Sequence, residues 1–188
     1  MRHQGQKGES RRGLVPSACL DRQNKRAVIK MEKEPVLVSA CLLGLPCRYD
    51  GQGKTYEGVG ELMRECALIP MCPEQLGGLP TPRPPAERQG DRVVTETGTD
   101  VTEPYGRGAK GALRLAELYG CRLALLKEKS PSCGCGRVYD GTFSRTLTEG
   151  NGLTAETLLC QGVEVFGESR LRELTERIRE RKKERSEG

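Results

Sequence analysis

The sequence predicts a single α/β domain, and three observations carry that prediction. Short apolar runs alternate with segments whose apolar residues recur at helical spacing. The length of 188 residues suits one domain and is enough for a full hydrophobic core. Three of the apolar runs also lead into cysteines: Val36 to Ala40 directly into Cys41, Ala67 to Met71 directly into Cys72, and Leu123 to Leu126 into the turn that holds Cys133. In an open α/β sheet, ligands bind just beyond the carboxyl ends of the strands, so the three thiols are expected at one sheet edge.

Residues 1–30 are rich in Arg, Gln, Gly and Ser and lack apolar periodicity. They read as a disordered basic extension, taken to residue 34, with Met31 a candidate for the true start. The first strand is expected at 36–40. It leads into a loop from Cys41 to Gly51, bent by Gly44, Pro46 and the Asp50-Gly51 turn. A helix follows at about 57–65, where Val59, Leu62, Met63 and Cys66 share a face, and then a strand at about 67–71. The prolines from Pro73 to Pro85 predict an extended, stiff loop without helix. Arg92 to Thr95 and Asp100 to Thr102 read as a hairpin. A helix at about 104–119 leads to a strand at 122–126. Beyond the Ser130 to Gly136 turn, residues 138–143 make a short excursion, and Thr154 is the candidate cap of a helix running to Gly162. Residues 163–166 form a fourth strand. From Glu168 onward the charges alternate at helical spacing, which predicts a solvated, partly frayed helix.

Composition narrows the chemistry. The net charge of +5 lies wholly in residues 1–34, where nine Lys/Arg face four Asp/Glu; the remainder carries 22 of each sign. The expected domain, 35–167, and the charged tail, 168–188, therefore present no basic footprint, and DNA is not an expected partner. No apolar segment approaches the length of a membrane span and no hydrophobic signal core opens the chain, so a reducing cytoplasm is the expected setting. There, nine cysteines read as metal ligands or catalytic thiols rather than disulfides. The only histidine is His3, which leaves the expected domain without Cys-His or Ser-His machinery or mixed Cys/His zinc sites.

Among the cysteines, Cys19 lies in the extension, and Cys66, Cys121 and Cys160 sit on or beside helical apolar faces and read as core filler. Cys47 and Cys135 are ambiguous, each in a glycine-rich loop near a stronger candidate. Cys41, Cys72 and Cys133 stand at the same topological position. Their spacing fits neither the Cys-x-x-Cys hooks of zinc ribbons nor a ferredoxin run. Three thiolates from distant segments, without an obvious fourth, match a [4Fe-4S] cluster with one iron open to substrate. A fourth protein ligand, from Cys47 or Cys135, would close that iron.

A set of blocks carries a resemblance: Ser39 to Gly44, Cys47 to Gly51, Cys72 to Leu79, Pro82 to Glu87, Leu126 to Gly134 and Asp140 to Phe143. In this order they resemble the small cysteine-rich family that includes the 2-thiouracil desulfidases, over about residues 35–166. The resemblance implies a Rossmann-like three-layer α/β sandwich with a mainly parallel sheet, and a [4Fe-4S] cluster held by Cys41, Cys72 and Cys133. It implies that the open iron takes the sulfur of a small thiolated substrate such as 2-thiouracil, and that water replaces it. Onto the acid/base positions fall Glu74, Ser130 and Ser132. Cys135 and the basic extension depart from the family pattern.

The residues are consistent with those roles and also with plainer ones. Glu74 lies two residues from one expected ligand and Ser132 beside another; a carboxyl there can protonate a ring nitrogen or activate water. Equally, Glu74 can be a helix-start carboxylate and Ser130 a turn former before Pro131. Arg48, Asp50 and Arg83 can orient a polar base or close their loop by ion pairing, and Glu87 can stand where substrate passes. Two other functions compete: a non-catalytic cysteine-metal binding or sensor module, which needs four protein ligands, and a metal-free thiol or persulfide enzyme built on Cys133. Oligomeric state and the choice among thiobase, nucleoside and thiolated tRNA have no sequence signal.

Overall fold

The computed structural model describes residues 28–186. His3, Cys19 and the extension up to residue 27 lie outside the described residues. Strand β1, Pro35–Ser39, enters a 3-10 turn at Ala40–Leu43. Helix α1, Val59–Glu65, leads to β2, Ala67–Met71. A one-turn helix α2, Pro73–Leu76, precedes the antiparallel pair β3, Ala86–Gln89, and β4, Arg92–Thr95. Helix α3, Thr102–Tyr119, delivers the chain to β5, Leu123–Leu126. A hairpin of β6, Arg137–Tyr139, and β7, Leu147–Glu149, is followed by α4, Leu153–Cys160, β8, Glu164–Gly167, and α5, Leu171–Ser186.

The central sheet has the order β2-β1-β5-β8, with every neighbouring pair parallel. Its strands alternate faces as the pleat requires. Val36, Val38, Leu123, Leu125 and Phe166 pack with Leu62 of α1 and with Leu174 and Ile178 of α5. Leu37, Ala124, Leu126 and Val165 pack with Ala112 and Ala116 of α3 and Leu158 of α4. This is a three-layer Rossmann-like sandwich, as expected. Each fully buried Leu or Ile in it contributes about 1.5–3 kcal/mol relative to an exposed one.

Five local expectations change. Proline density does not exclude α2, because Pro73 occupies the first helical position, where its missing N–H has no intrahelical partner to lose. Strand β4 takes β3 as its main ladder, while Val94 makes a single bridge to Asp100. Helix α4 is entered through Gly152; Thr154 lies inside it, fully buried, bonded to the Ser132 hydroxyl at 2.9 Å. Helix α5 is not merely solvated, since Leu174 and Ile178 are fully buried and Arg181 and Arg185 grip the buried Glu34 at 2.7 and 3.0 Å. Cys66 and Cys121 are core residues as expected, but Cys160 is exposed on α4. Among the described residues, no helix is long and apolar enough to cross a membrane.

Candidate functional site

The sheet order locates the site. From β1 the chain crosses to β2 on one side, while β5 and β8 lie on the other, so the order reverses between β1 and β5. Connections leaving two such strands in opposite directions open a crevice beyond their carboxyl ends. Cys41 follows β1, Cys72 follows β2 and Cys133 follows β5, so the three expected ligands leave three adjacent strands at that edge.

Local structure fixes each one. Cys41 is buried in the 3-10 turn, which closes on Gly44 at φ 85°, a left-handed conformation that glycine adopts without steric cost. Cys72 is the N-cap of α2, half-buried, with its Sγ 3.6 Å from the Cys47 carbonyl oxygen. Cys133 is buried in the turn after β5, where the Ser130 Oγ accepts the N–H groups of Ser132 and Cys133, each at 3.1 Å. These two hydrogen bonds make Ser130 a turn former in this structure.

The thiols interact. Cys47 is buried between the others and its thiol hydrogen-bonds those of Cys41 and Cys72. The Cys41 bond, with burial, pushes the Cys47 thiol up to about 11, against the opposing bond from Cys72. The Cys47 bond and burial push Cys72 well above an ordinary thiol. Burial does the same to Cys133, opposed by hydrogen bonds from Ser39 and Ser132 and reinforced by the charges of Glu74 and Cys72. Cys135 stands apart: its Sγ contacts the Val165 carbonyl at 3.8 Å, and its charged neighbours are Arg170 and Glu128. Of the two ambiguous cysteines, Cys47 therefore joins the group and Cys135 does not.

Glu74, in the first turn of α2, is held by Arg83, whose Nε and Nη2 both approach Oε2 at 2.6 Å. Tyr105, buried near the start of α3, hydrogen-bonds the same carboxylate; burial and then the Glu74 charge push its phenol well up. Arg48 pairs with Asp50 at 2.9 Å, and Asp50 also accepts the Gln52 N–H at 3.1 Å, so this pair closes its own loop. The Glu87 carboxylate is buried and accepts the N–H groups of Gly141 and Phe143 at 3.0 and 2.9 Å, pinning that loop to β3. Lys127 pairs with Glu168 across the ends of β5 and β8.

Sequence reasoning missed Ser39 and Tyr105. Ser39 Oγ accepts the Lys127 N–H at 3.0 Å, tying β1 to β5, and also meets the Cys133 thiol. A small hydroxyl ending a buried strand was its only signal. Tyr105 reads in sequence as one more apolar position on a helix face.

The donor set fits a thiolate-bound cluster. Thiolates are the soft ligands that select iron-sulfur clusters; Cys47 interacts with Cys41 and Cys72, and Cys72 with Cys133, with no histidine among the described residues. Among the described residues, no three Cys, His, Asp or Glu side chains converge closely enough to hold one ion. A cluster would make no such demand, since Cys41, Cys72 and Cys133 would each ligate an iron of their own.

Fold and site together define a class: a Rossmann-like domain whose sheet edge carries cysteines and an Arg-held carboxylate, at the position where such folds bind ligands. The chain belongs to the 2-thiouracil desulfurase family, whose model matches residues 36–170. It is 41% identical over 149 residues to the uncharacterized protein YbbK of Bacillus subtilis (strain 168), covering 74% of this chain and 99% of that protein. Among solved structures it is similar to the [4Fe-4S]-dependent thiouracil desulfidase TudS, with 53% identity and a TM-score of 0.72, covering 76% of this chain and 95% of the other.

Proposed function

We propose that this protein is a [4Fe-4S]-dependent desulfidase that removes sulfur from 2-thiouracil or a closely related small thiocarbonyl compound, with Cys41, Cys72 and Cys133 holding the cluster. The observation that carries this reading is the placement of those three cysteines at the carboxyl ends of adjacent strands, beside a carboxylate held at 2.6 Å by Arg83. When bound, a cluster with three protein thiolates offers an iron without a protein ligand, a Lewis acid suited to sulfur.

The net reaction is hydrolytic: a carbon-sulfur bond breaks, a carbon-oxygen bond from water forms, and sulfide leaves with no electron supplied or removed. Glu74 takes a proton from the attacking water and returns it to the departing sulfur or the ring nitrogen. Ser132 and Ser39 hydrogen-bond the Cys133 sulfur and hold that ligand in place. Ser130, through its bonds to two successive N–H groups, shapes the turn that presents Cys133. Arg48 and Asp50 rim the first loop as an ion pair. A reducing cytoplasmic setting, where the thiols stay free to bind iron, belongs to the same reading.

The test is anaerobic purification with iron and acid-labile sulfide counted per chain, followed by turnover of 2-thiouracil to uracil and sulfide. The expected result is about four of each per chain, lost in Cys41→Ala, Cys72→Ala and Cys133→Ala and kept in Cys135→Ala. Cys47→Ala decides the remaining alternative: retention of the cluster leaves three ligands and an open iron, whereas loss makes a closed four-cysteine site of the sensor kind. Iron-free protein that cannot be reconstituted would sink the desulfidase reading.

A further inference from the structure

A guanidinium has five N–H groups on three nitrogens, and all three Arg83 nitrogens are engaged within the protein, through four hydrogen bonds and an ion pair. Nε and Nη2 reach Glu74 Oε2 at 2.6 Å, Nη2 also reaches the Cys47 carbonyl at 3.0 Å, and Nη1 reaches the Pro80 carbonyl and Thr81 Oγ1 at 3.0 Å each. The Arg83 side chain is 5% exposed. The guanidinium is thus buried and committed to protein partners. Its own N–H donates to the Tyr49 carbonyl at 2.8 Å, so this one residue ties together the Cys47 loop, the proline loop and α2. Tyr105, buried on α3, meets the same carboxylate, whose charge and hydrogen bond help to push the phenol up. An ionised carboxylate only accepts, so there the phenol donates.

We propose that Arg83 and Tyr105 are positioning residues that fix the Glu74 carboxylate beside the cysteines, and that Arg83 does not contact substrate. The proposal rests on the reading of Glu74 as the residue that handles the proton. A carboxylate held by Arg83 and met by Tyr105 is restrained about its own side chain, so its orientation is set before substrate arrives. Loss of either grip costs orientation, which lowers turnover, while ground-state binding made elsewhere is unaffected.

The test is steady-state desulfuration of 2-thiouracil by the cluster-loaded protein, with iron counted in every variant. Tyr105→Phe removes one hydroxyl; the expected result is full iron, KM within about twofold of wild type and kcat lower by about tenfold. Arg83→Gln is expected to lower kcat by about a hundredfold, with Arg83→Lys restoring part of it and KM again little changed. A Tyr105→Phe enzyme with wild-type kcat overturns the proposal, as does an Arg83→Lys enzyme whose KM rises at constant kcat. Glu74→Gln, run alongside, separates the two levels. If it turns over normally, the proton role of Glu74 fails and the positioning role with it. If it is inactive while Tyr105→Phe and Arg83→Lys are fully active, the positioning role alone fails. Should Arg83→Gln lose iron, Tyr105→Phe and Arg83→Lys decide.

Discussion

Gly108 is where fold and chemistry meet, and its replacement by alanine gives a sharp expectation. Helices α2 and α3 touch backbone to backbone: a Cβ on Gly108 would lie 1.9 Å from the Pro73 carbonyl oxygen, and one on Gly77 would lie 2.0 Å from that of Pro104. Real Cβ contacts stay beyond 3.0 Å, so Gly108→Ala must part the helices by about 1 Å. Helix α3 has 18 residues and is anchored on the sheet through Ala112 and Ala116, whereas α2 has four. The short helix therefore yields, carrying Glu74 and the Cys72 cap with it. A displacement of about 1 Å at a catalytic group costs about a hundredfold in rate, and the strained packing costs about 1–3 kcal/mol of stability. Gly106→Ala is the internal control. Its Cβ meets nothing within 4 Å, so the better helix former should gain up to about 1 kcal/mol without touching turnover. The assay is kcat on 2-thiouracil with iron content and thermal midpoint for both variants. Gly108→Ala with wild-type kcat and an unshifted midpoint would refute the reasoning, as would equal losses in the two variants.

Three further outcomes follow from buried groups. Truncation after Glu180 removes Arg181 and Arg185 from the buried Glu34; with Arg185 half-exposed, the stranded carboxylate should cost about 2–3 kcal/mol by denaturant midpoint. Glu34→Gln in the truncated chain should recover part of this, and an unchanged midpoint would dismiss the pairing as a stabiliser. Burial pushes the Cys66 and Cys121 thiols up to about 12, so above the unfolded thiol value the unfolded chain loses protons that the folded one keeps. Stability is then fully present below about pH 8.5 and falls as pH rises toward 12, by about 1.4 kcal/mol per pH unit for each thiol. The double change Cys66→Val with Cys121→Val should flatten that alkaline slope, and an equally steep variant would count against it. Finally, Ser132→Ala leaves the buried Thr154 hydroxyl without its partner at 2.9 Å, at a cost of about 1–3 kcal/mol that Thr154→Val should largely restore. Lost turnover with intact stability would instead make Ser132 catalytic.

What the sequence made legible were contiguous features. Val36-Leu37-Val38 and Leu123 to Leu126 announce buried strands because parallel strands covered on both faces are apolar without interruption. The cysteines could be placed because strand ends share one geometry in an α/β sheet, so three local observations added up to a site. What stayed hidden was set by pairing across the chain. Ala86-Glu87-Arg88-Gln89 carries no apolar alternation, and it is a strand because β4 is available to it as a partner. The buried face of α5, Leu174 and Ile178, has the right i, i+4 spacing, yet the flanking charges mask it unless Glu34 is known to lie beneath Arg181 and Arg185. Cys47 and Cys135 sit in equally glycine-rich loops, and only the tertiary fold brings one to Cys41 and Cys72 and turns the other to Val165.

The same division explains the two residues that hold the site together without resembling catalytic ones. Ser39 acts through Lys127, 88 positions away, and through the Cys133 thiol; Tyr105 acts through a carboxylate in α2. A ligand or a base needs a particular functional group and so leaves a mark in sequence. The residue that orients it needs only to be near, and nearness is a property of the sheet order and of the glycines that let α2 lie against α3. For this reason the Gly108→Ala and Tyr105→Phe experiments probe one mechanism from two ends. The first moves the helix that carries Glu74; the second leaves the helix in place and frees the carboxylate. If orientation of Glu74 governs the rate, both should lower kcat with iron and KM little changed, and combining them should cost less than the product of the separate losses, because the two changes act on one coupled interaction.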